Sequence, residues 1–246
     1  MLEGKVAYVT GATRGIGAEV VRTFAANRAT VVINGRDESR TQTLVSEIGS
    51  EFGVECLGVI ADQRDPEAIK GAYQQIFSAY QRLDVLVNNA GILSDGLLGM
   101  ISEEAITSTF EVNALSVVRN IQGAARLMQR AGSGSIISMS SIIGLRGNPG
   151  QVVYAGSKAA IVGVTMAAAK ELAPSGIRVN AIAPGLIDTD MVRSLPVEKL
   201  EDRLALVAMG RIGRTADVAN VALFLASDLS AYVTGQTIGV DGGMVV

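Results

Sequence analysis

Seven short runs rich in Val and Ile, separated by helical stretches, constrain this 246-residue chain more than anything else in it. The runs are Val6 to Thr10, Thr30 to Asn34, Val54 to Ile60, Val85 to Asn88, Ser135 to Ser140, Ile177 to Ile182 and Thr237 to Val240. None alternates strictly between polar and apolar residues, which is the pattern of strands buried on both faces of a parallel sheet. Strands spaced by helices imply βαβ units, so the predicted fold class is α/β, a doubly wound sheet covered by helices on both faces. Apolar residues make up 48% of the chain, enough to cover such a sheet. No linker rich in Pro, Ser and Gly divides the sequence, and residues 1–246 read as one domain. Leu186 to Gly210 fits least well: it lies between a strand and a helix and holds Pro196 and the charged residues from Glu198 to Arg203. Its length suits a lid with short helices or a plain surface excursion.

Charge and composition exclude several functions. There are 21 basic against 24 acidic residues, a net charge of -3, and no Lys/Arg cluster, which argues against a nucleic-acid partner. Strand-like sequence starts at Lys5 with no charged leader or cleavage-type segment, so no signal or transit peptide is expected and the predicted location is cytoplasmic. The longest uncharged apolar stretch, Ala159 to Ala169, falls short of the roughly 18 residues that a membrane span needs, and reads as a buried helix. Cys56 is the only cysteine and there is no histidine, which removes an internal disulfide and the usual zinc sites.

The missing histidine also means that proton transfer cannot use imidazole. Tyr154 and Lys158, in Tyr-Ala-Gly-Ser-Lys, fill that gap. On a helix an i, i+4 spacing puts phenol and ammonium on one face, with Cβ atoms about 5 to 6 Å apart. A fixed positive charge nearby favours phenolate and lowers the phenol pKa, so the pair reads as a general acid/base. By itself the pair could equally be a packed ring with a lysine stem lying over it.

The first run leads into Thr10-Gly11-Ala12-Thr13-Arg14-Gly15-Ile16-Gly17, and helical sequence follows at once. Glycines there let backbone approach a pyrophosphate, and the helix start offers free N–H groups, so the stretch reads as a Rossmann-type dinucleotide loop with Gly-x3-Gly-x-Gly spacing. Nucleotide choice is read at the end of the second strand, where an acidic side chain would bind the ribose 2′-hydroxyl. The sequence there is Asn34-Gly35-Arg36, and Arg36 with Arg14 makes a guanidinium pair for a 2′-phosphate, favouring NADP(H) despite Asp37 next door.

Taken in order, the glycine loop, Asp62, Asn88-Asn89-Ala90-Gly91, Asn113, Ser141, Tyr154-x3-Lys158, Pro184-Gly185 and a closing Asp241-Gly242-Gly243 resemble the short-chain dehydrogenase/reductase family over the whole length. Within it the chain is most similar to the 3-oxoacyl carrier-protein reductases. The resemblance implies that Tyr154 protonates a carbonyl oxygen as hydride arrives, that Lys158 binds the nicotinamide ribose and tunes the phenol, and that Ser141 orients the carbonyl. It also implies that Asn113 holds a water relaying protons to Lys158, although a buried amide among Val112, Ala114 and Leu115 could as well have a structural role. Asp62 would reach the adenine amino group, Asn88, Ala90 and Gly91 would follow the adenosine ribose, and Pro184, Gly185, Ile187 and Thr189 would lie near the carboxamide and phosphates. A strand-ending turn is the plain alternative for Asn88 to Gly91, and a helix cap for Asp62.

One departure concerns the substrate. Basic residues that dock the acidic acyl carrier protein in the carrier-protein reductases fall here at Gly132 and Ser175, with Arg130 close by. A 3-oxoacyl thioester remains the expected substrate, with free ketones, coenzyme A esters and polyketide-like intermediates as alternatives. An NAD-linked alcohol, sugar or steroid dehydrogenase and a non-catalytic dinucleotide sensor are the competing readings. The apolar ending Gly242-Gly243-Met244-Val245-Val246 predicts a homo-oligomer, and the resemblance implies a homotetramer built partly on paired long helices.

Overall fold

The computed structural model of the protein describes residues 1–193 and 197–245; Pro196, within the expected lid, and Val246 lie outside the described residues. The seven strands are β1 (Val6–Val9), β2 (Thr30–Gly35), β3 (Cys56–Ile60), β4 (Val85–Asn88), β5 (Gly134–Met139), β6 (Ile177–Pro184) and β7 (Thr237–Val240). Between and around them run α1 (Gly15–Ala26), α2 (Glu38–Phe52), α3 (Pro66–Tyr80), α4 (Glu103–Phe110), α5 (Ser116–Ala131), α6 (Ile142–Arg146), α7 (Val152–Leu172), α8 (Asp190–Arg193), α9 (Val197–Ala205) and α10 (Thr215–Ala226). Every expected strand is present, within one or two residues of its expected ends.

All pairings are parallel, in the order β3-β2-β1-β4-β5-β6-β7, so β1 sits between β2 and β4 with Val9 level with Ile33 on one side and Val87 on the other. The chain winds outward from β1 to β3 and then returns to β4 on the opposite side. That reversal opens a crevice beyond the carboxyl ends of β1 and β4, where ligands bind in open α/β sheets.

Strand parity explains the missing polar alternation. Ala7 and Val9 join the core under α1, α2 and α10, where Val20, Phe24, Ile48 and Leu225 are buried. Val6 and Tyr8 join the opposite core under α3, α5 and α7, with Ile76, Met128, Ile136 and Ile161. Neither face of the strand meets water, so both must be apolar.

Local chemistry sets most helix starts. The Asp37 carboxylate accepts from Arg40 N at α2, Asp65 accepts from Glu67 N at α3 with Pro66 in the first turn, and Ser102 Oγ accepts from Ala105 N at α4. Between α4 and α5 the helix widens into a π turn, Glu111–Leu115, which the apolar periodicity did not reveal. Helix α7, continued by a 3-10 turn to Ser175, is the one helix among the described residues that is long and apolar enough to cross a bilayer. This corrects the shorter estimate from Ala159 to Ala169, which stopped at flanking lysines. Its length serves the sheet instead: Ser157, Lys158, Ile161, Thr165 and Ala169 are buried along it, and it lies over β5 and β6.

Candidate active site

Helix α7 begins at the mouth of the crevice and carries Tyr154 in its first turn and Lys158 in its second. Beside it, β5 ends at Met139 and Ser141 caps the short helix α6, its hydroxyl accepting from Ile143 N at 3.2 Å. Gly144 lets α6 and α7 touch: a Cβ there would stand 2.7 Å from the Lys158 carbonyl carbon. Three residues named from the sequence are thus gathered at one place. The Ser141 hydroxyl bears directly on the Tyr154 phenol, and Lys158 Nζ lies 5.9 Å from the centre of the Tyr154 ring.

The electrostatics differ from expectation. Burial raises the Tyr154 pKa above the ordinary phenol value, the Ser141 hydrogen bond pulls it back, and Asp95 pushes it up again. The expected depression by Lys158 is absent, and the physical reason is that burial weakens both ions. Desolvation lowers the Lys158 pKa to about 8. Its ammonium is turned toward the Met139 carbonyl oxygen, to which it donates at 2.7 Å.

Asn113 is fully buried in the π turn, and its amide is engaged on both sides. Oδ1 accepts from Ile92 N at 2.8 Å, while Nδ2 donates to Ile92 O at 2.9 Å and to Ser157 Oγ at 3.0 Å. Asn113 therefore clamps the segment after β4 to α7, which is the structural alternative raised from the sequence. It also borders Lys158: a Cβ on Gly91 would lie 3.3 Å from Lys158 Nζ and 3.4 Å from Asn113 Oδ1.

At the other end of the crevice, Gly11 and Gly15 adopt φ of +58° and +55°, the left-handed region open to glycine. Gly17 admits close contact, since a Cβ there would meet Asn89 Nδ2 at 2.5 Å and Gly11 O at 2.6 Å. Thr13, Arg14 and Ile16 complete the turn. Unlike α2, α3 and α4, helix α1 starts at Arg14 with no side-chain cap. Its first N–H groups and positive dipole end are left for an anion, which fits the diphosphate of a dinucleotide. Thr189 faces this turn, its Cγ2 3.6 Å from where a Gly15 Cβ would stand, and Ile187 is buried in a bridge to Gly213. Pro184 ends β6, and Gly185 packs against Asp241 Cα, which ties the closing Asp-Gly-Gly motif to the same edge.

Several expected nucleotide contacts have other partners. Asn34 is turned into the interior: Oδ1 accepts from Gly11 N at 3.2 Å, and Nδ2 donates to Val59 O and Ala61 O. Gly35 is required by packing, because a Cβ would collide with Thr41 Oγ1 and Thr13 Cγ2. Asp62 is paired with Arg64 at 2.6 Å, which holds its carboxyl below the usual range. Asn88 is buried and donates to Ser138 Oγ. Arg36 and Arg14 are exposed, and the nearest acid to Arg14 is Asp190 at 3.9 Å.

This geometry can be compared with known proteins. A sequence profile described as enoyl-(acyl carrier protein) reductase matches residues 11–245. The chain belongs to the short-chain dehydrogenase/reductase family. Proteins named 3-oxoacyl-(acyl-carrier-protein) reductase are similar over full length: the one from Thermotoga maritima is 43% identical over 245 residues, 100% of this chain and 99% of that one. Those from Chlamydia trachomatis and Staphylococcus aureus are each 42% identical, covering 99% and 98% of this chain and 98% of each relative. As a short-chain dehydrogenase/reductase, the protein is an oxidoreductase that works with a nicotinamide dinucleotide.

In this short-chain dehydrogenase/reductase, some site residues escaped sequence reasoning. Thr10 Oγ1 accepts from Asn89 N and Ala90 N, and Asn89 Nδ2 donates to Thr10 O and Gly11 O, stitching the Asn-Asn-Ala-Gly turn to the glycine loop. Gln151, buried just ahead of α7, donates to Asp95, and Gly96 N bonds Gly150 O, so the segment after β4 closes against the start of α7. Asn89 stood inside a motif already noticed; Gln151 and Asp95 carried no signal in the sequence.

Proposed function

We propose that the chain reduces a 3-oxoacyl thioester, the activity for which its relatives are named, and that it does so with NADPH. The observation that carries this reading is the meeting of Ser141, Tyr154 and Lys158 at the carboxyl end of β5, on the crevice that also holds the uncapped start of α1. A bound dihydronicotinamide would supply the hydride. Ser141 and Tyr154 would hold the ketone oxygen between two hydroxyls, and Tyr154 would release its proton to that oxygen as negative charge develops. Lys158, charged below about pH 8, would stabilise the phenolate left behind. Asn113 Oδ1, which among the described residues accepts only the Ile92 N–H and so keeps one lone pair beside Lys158 at Gly91, would hold the water that returns the proton.

NADPH is favoured over NADH because Arg14 and Arg36 stand exposed at the crevice side of β1 and β2, while the Asp37 carboxylate accepts from Arg40 N at the start of α2. An acyl chain is favoured by the exposed Leu97, Leu98 and Met100 in the segment that closes against Gly150. We assign residues 186–210 to a lid, because Thr189 stands beside the glycine loop and two short helices, α8 and α9, follow it. Carrier docking would fall to Arg130, which lies over the Phe77 ring at 5.2 Å, because Gly132 and Ser175 bring no charge. A cytoplasmic location goes with this function.

The test compares acetoacetyl and crotonyl thioesters, each on coenzyme A and on an acyl carrier protein, with NADPH and NADH. Oxidation of NADPH by acetoacetyl but not crotonyl thioester is expected. Turnover of the crotonyl compound alone would instead favour the enoyl reduction named in the family profile.

A further inference from the structure

Behind the glycine loop runs a line of three buried amides that the reaction itself does not use. Asn34, Gln63 and Asn120 are 1%, 4% and 1% exposed. Asn34 Oδ1 accepts from Gly11 N at 3.2 Å and from Gln63 Nε2 at 3.0 Å; Gln63 Oε1 accepts from Asn120 Nδ2 at 2.7 Å. Asn120 Nδ2 also donates to Ser116 O at 2.9 Å, and Ser116 Oγ donates to Val112 O at 2.6 Å, inside the π turn next to Asn113. The single Tyr73 hydroxyl proton is shared between Asn120 O at 2.8 Å and Oδ1 at 3.1 Å.

The orientation of each amide is forced. Asn34 Nδ2 faces the carbonyls of Val59 and Ala61, so its oxygen must face Gly11 and Gln63. Gln63 must then donate to Asn34 and accept from Asn120, because flipping it would set donor against donor and acceptor against acceptor. A buried polar group left unpartnered costs about 1–3 kcal/mol, so each link holds the next in place. One end of the line is the backbone N–H of Gly11, in the loop that would cradle the diphosphate; the other is the turn that aims Asn113 at Ile92 and Ser157.

We infer that Gln63 and Asn120 are positioning residues for the dinucleotide: through Asn34 they fix Gly11 and the glycine loop, and they set that loop against the π turn carrying Asn113. The inference rests on reading Gly11 to Gly17 as the dinucleotide loop. Wild-type protein that binds neither NADPH nor NADH would sink that reading. Normal wild-type binding with indifferent variants would sink this one.

The experiment is a fluorescence titration of NADPH into the full chain, for wild type, Gln63→Leu and Gln63→Glu, each checked for fold by circular dichroism. Gln63→Leu removes both links and is expected to raise Kd about tenfold. Gln63→Glu gives a sharper signature. Protonated, its carboxyl can donate to Asn34 and accept from Asn120 as glutamine does; ionised, it meets the Asn34 oxygen with a charge. Burial raises a carboxyl pKa, so the Kd ratio of Gln63→Glu to wild type should be near one at about pH 5.5 and reach about tenfold by about pH 8.5. The titratable neighbours are Tyr8 on β1 and Tyr73 on α3, both raised by burial and so neutral throughout, and the half-buried Asp62 with the exposed Arg64, paired with each other and flanked by the charges of Arg36 and Glu111. A folded Gln63→Leu within about twofold of wild type, or a Gln63→Glu ratio that does not change with pH, overturns the proposal. If Gln63→Leu does not fold, the Gln63→Glu ratio decides alone.

Discussion

Lys158 is an ammonium held where water cannot help it, and that has a thermodynamic consequence separate from catalysis. Its pKa falls from 10.5 to about 8 in the folded chain. Below pH 8 the native state carries a charge that burial disfavours; between 8 and 10.5 the unfolded chain binds more protons, so stability rises with pH across that window. Lys158→Met should therefore be more stable than wild type at pH 7 by about 3 kcal/mol, with the gap closing toward pH 10.5, as urea unfolding at several pH values would show. The same variant should lose at least about a hundredfold in ketone reduction, and wild-type kcat/KM should fall above about pH 8 as Lys158 becomes neutral. Tyr154→Phe should lose about two to four orders of magnitude in turnover with dinucleotide binding kept. That Tyr154 and Lys158 lie together was legible because four residues is about one helical turn. Their pKa directions were not, since they depend on depth of burial and on the Met139 carbonyl, which comes from a different element.

At the scale of elements, the strands were legible because burial on both faces leaves an uninterrupted apolar run. The π turn was not, since one extra residue per turn leaves the apolar pattern around Asn113 looking helical. Asn34 could have been placed by parity: it is two residues beyond Val32, which faces the core beneath α3 and α5, so its side chain follows Val32 inward. The βα turn after β1 makes a testable unit. Gly17→Ala would drive a methyl into Asn89 Nδ2 and Gly11 O, and should cost about 1–3 kcal/mol in stability. It should also weaken NADPH binding in the same fluorescence titration, because Asn89 and Gly11 must move apart.

For the whole molecule, the layer of α5 and α7, with the π turn before α5, is left with Leu115, Val118, Val152 and Met166 exposed. Apolar side chains of this size on the outer face of a covered sheet fit the homotetramer expected through long helices. Met166→Glu combined with Val118→Asp should shift the mass seen by sedimentation from a tetramer toward smaller species, whereas a wild-type monomer would end that proposal. Toward the chain end Val245, Leu229 and Tyr232 are exposed as well, which fits the second interface expected near the C-terminus. Helix α7 has two faces with different duties. The turn that presents Tyr154 and Lys158 inward belongs to the same rigid rod that shows Met166 to solvent further along. A tetramer diluted until its subunits part should then do more than change its size: specific activity ought to decline with concentration, since the rod that carries the proposed proton donor would lose its outer support.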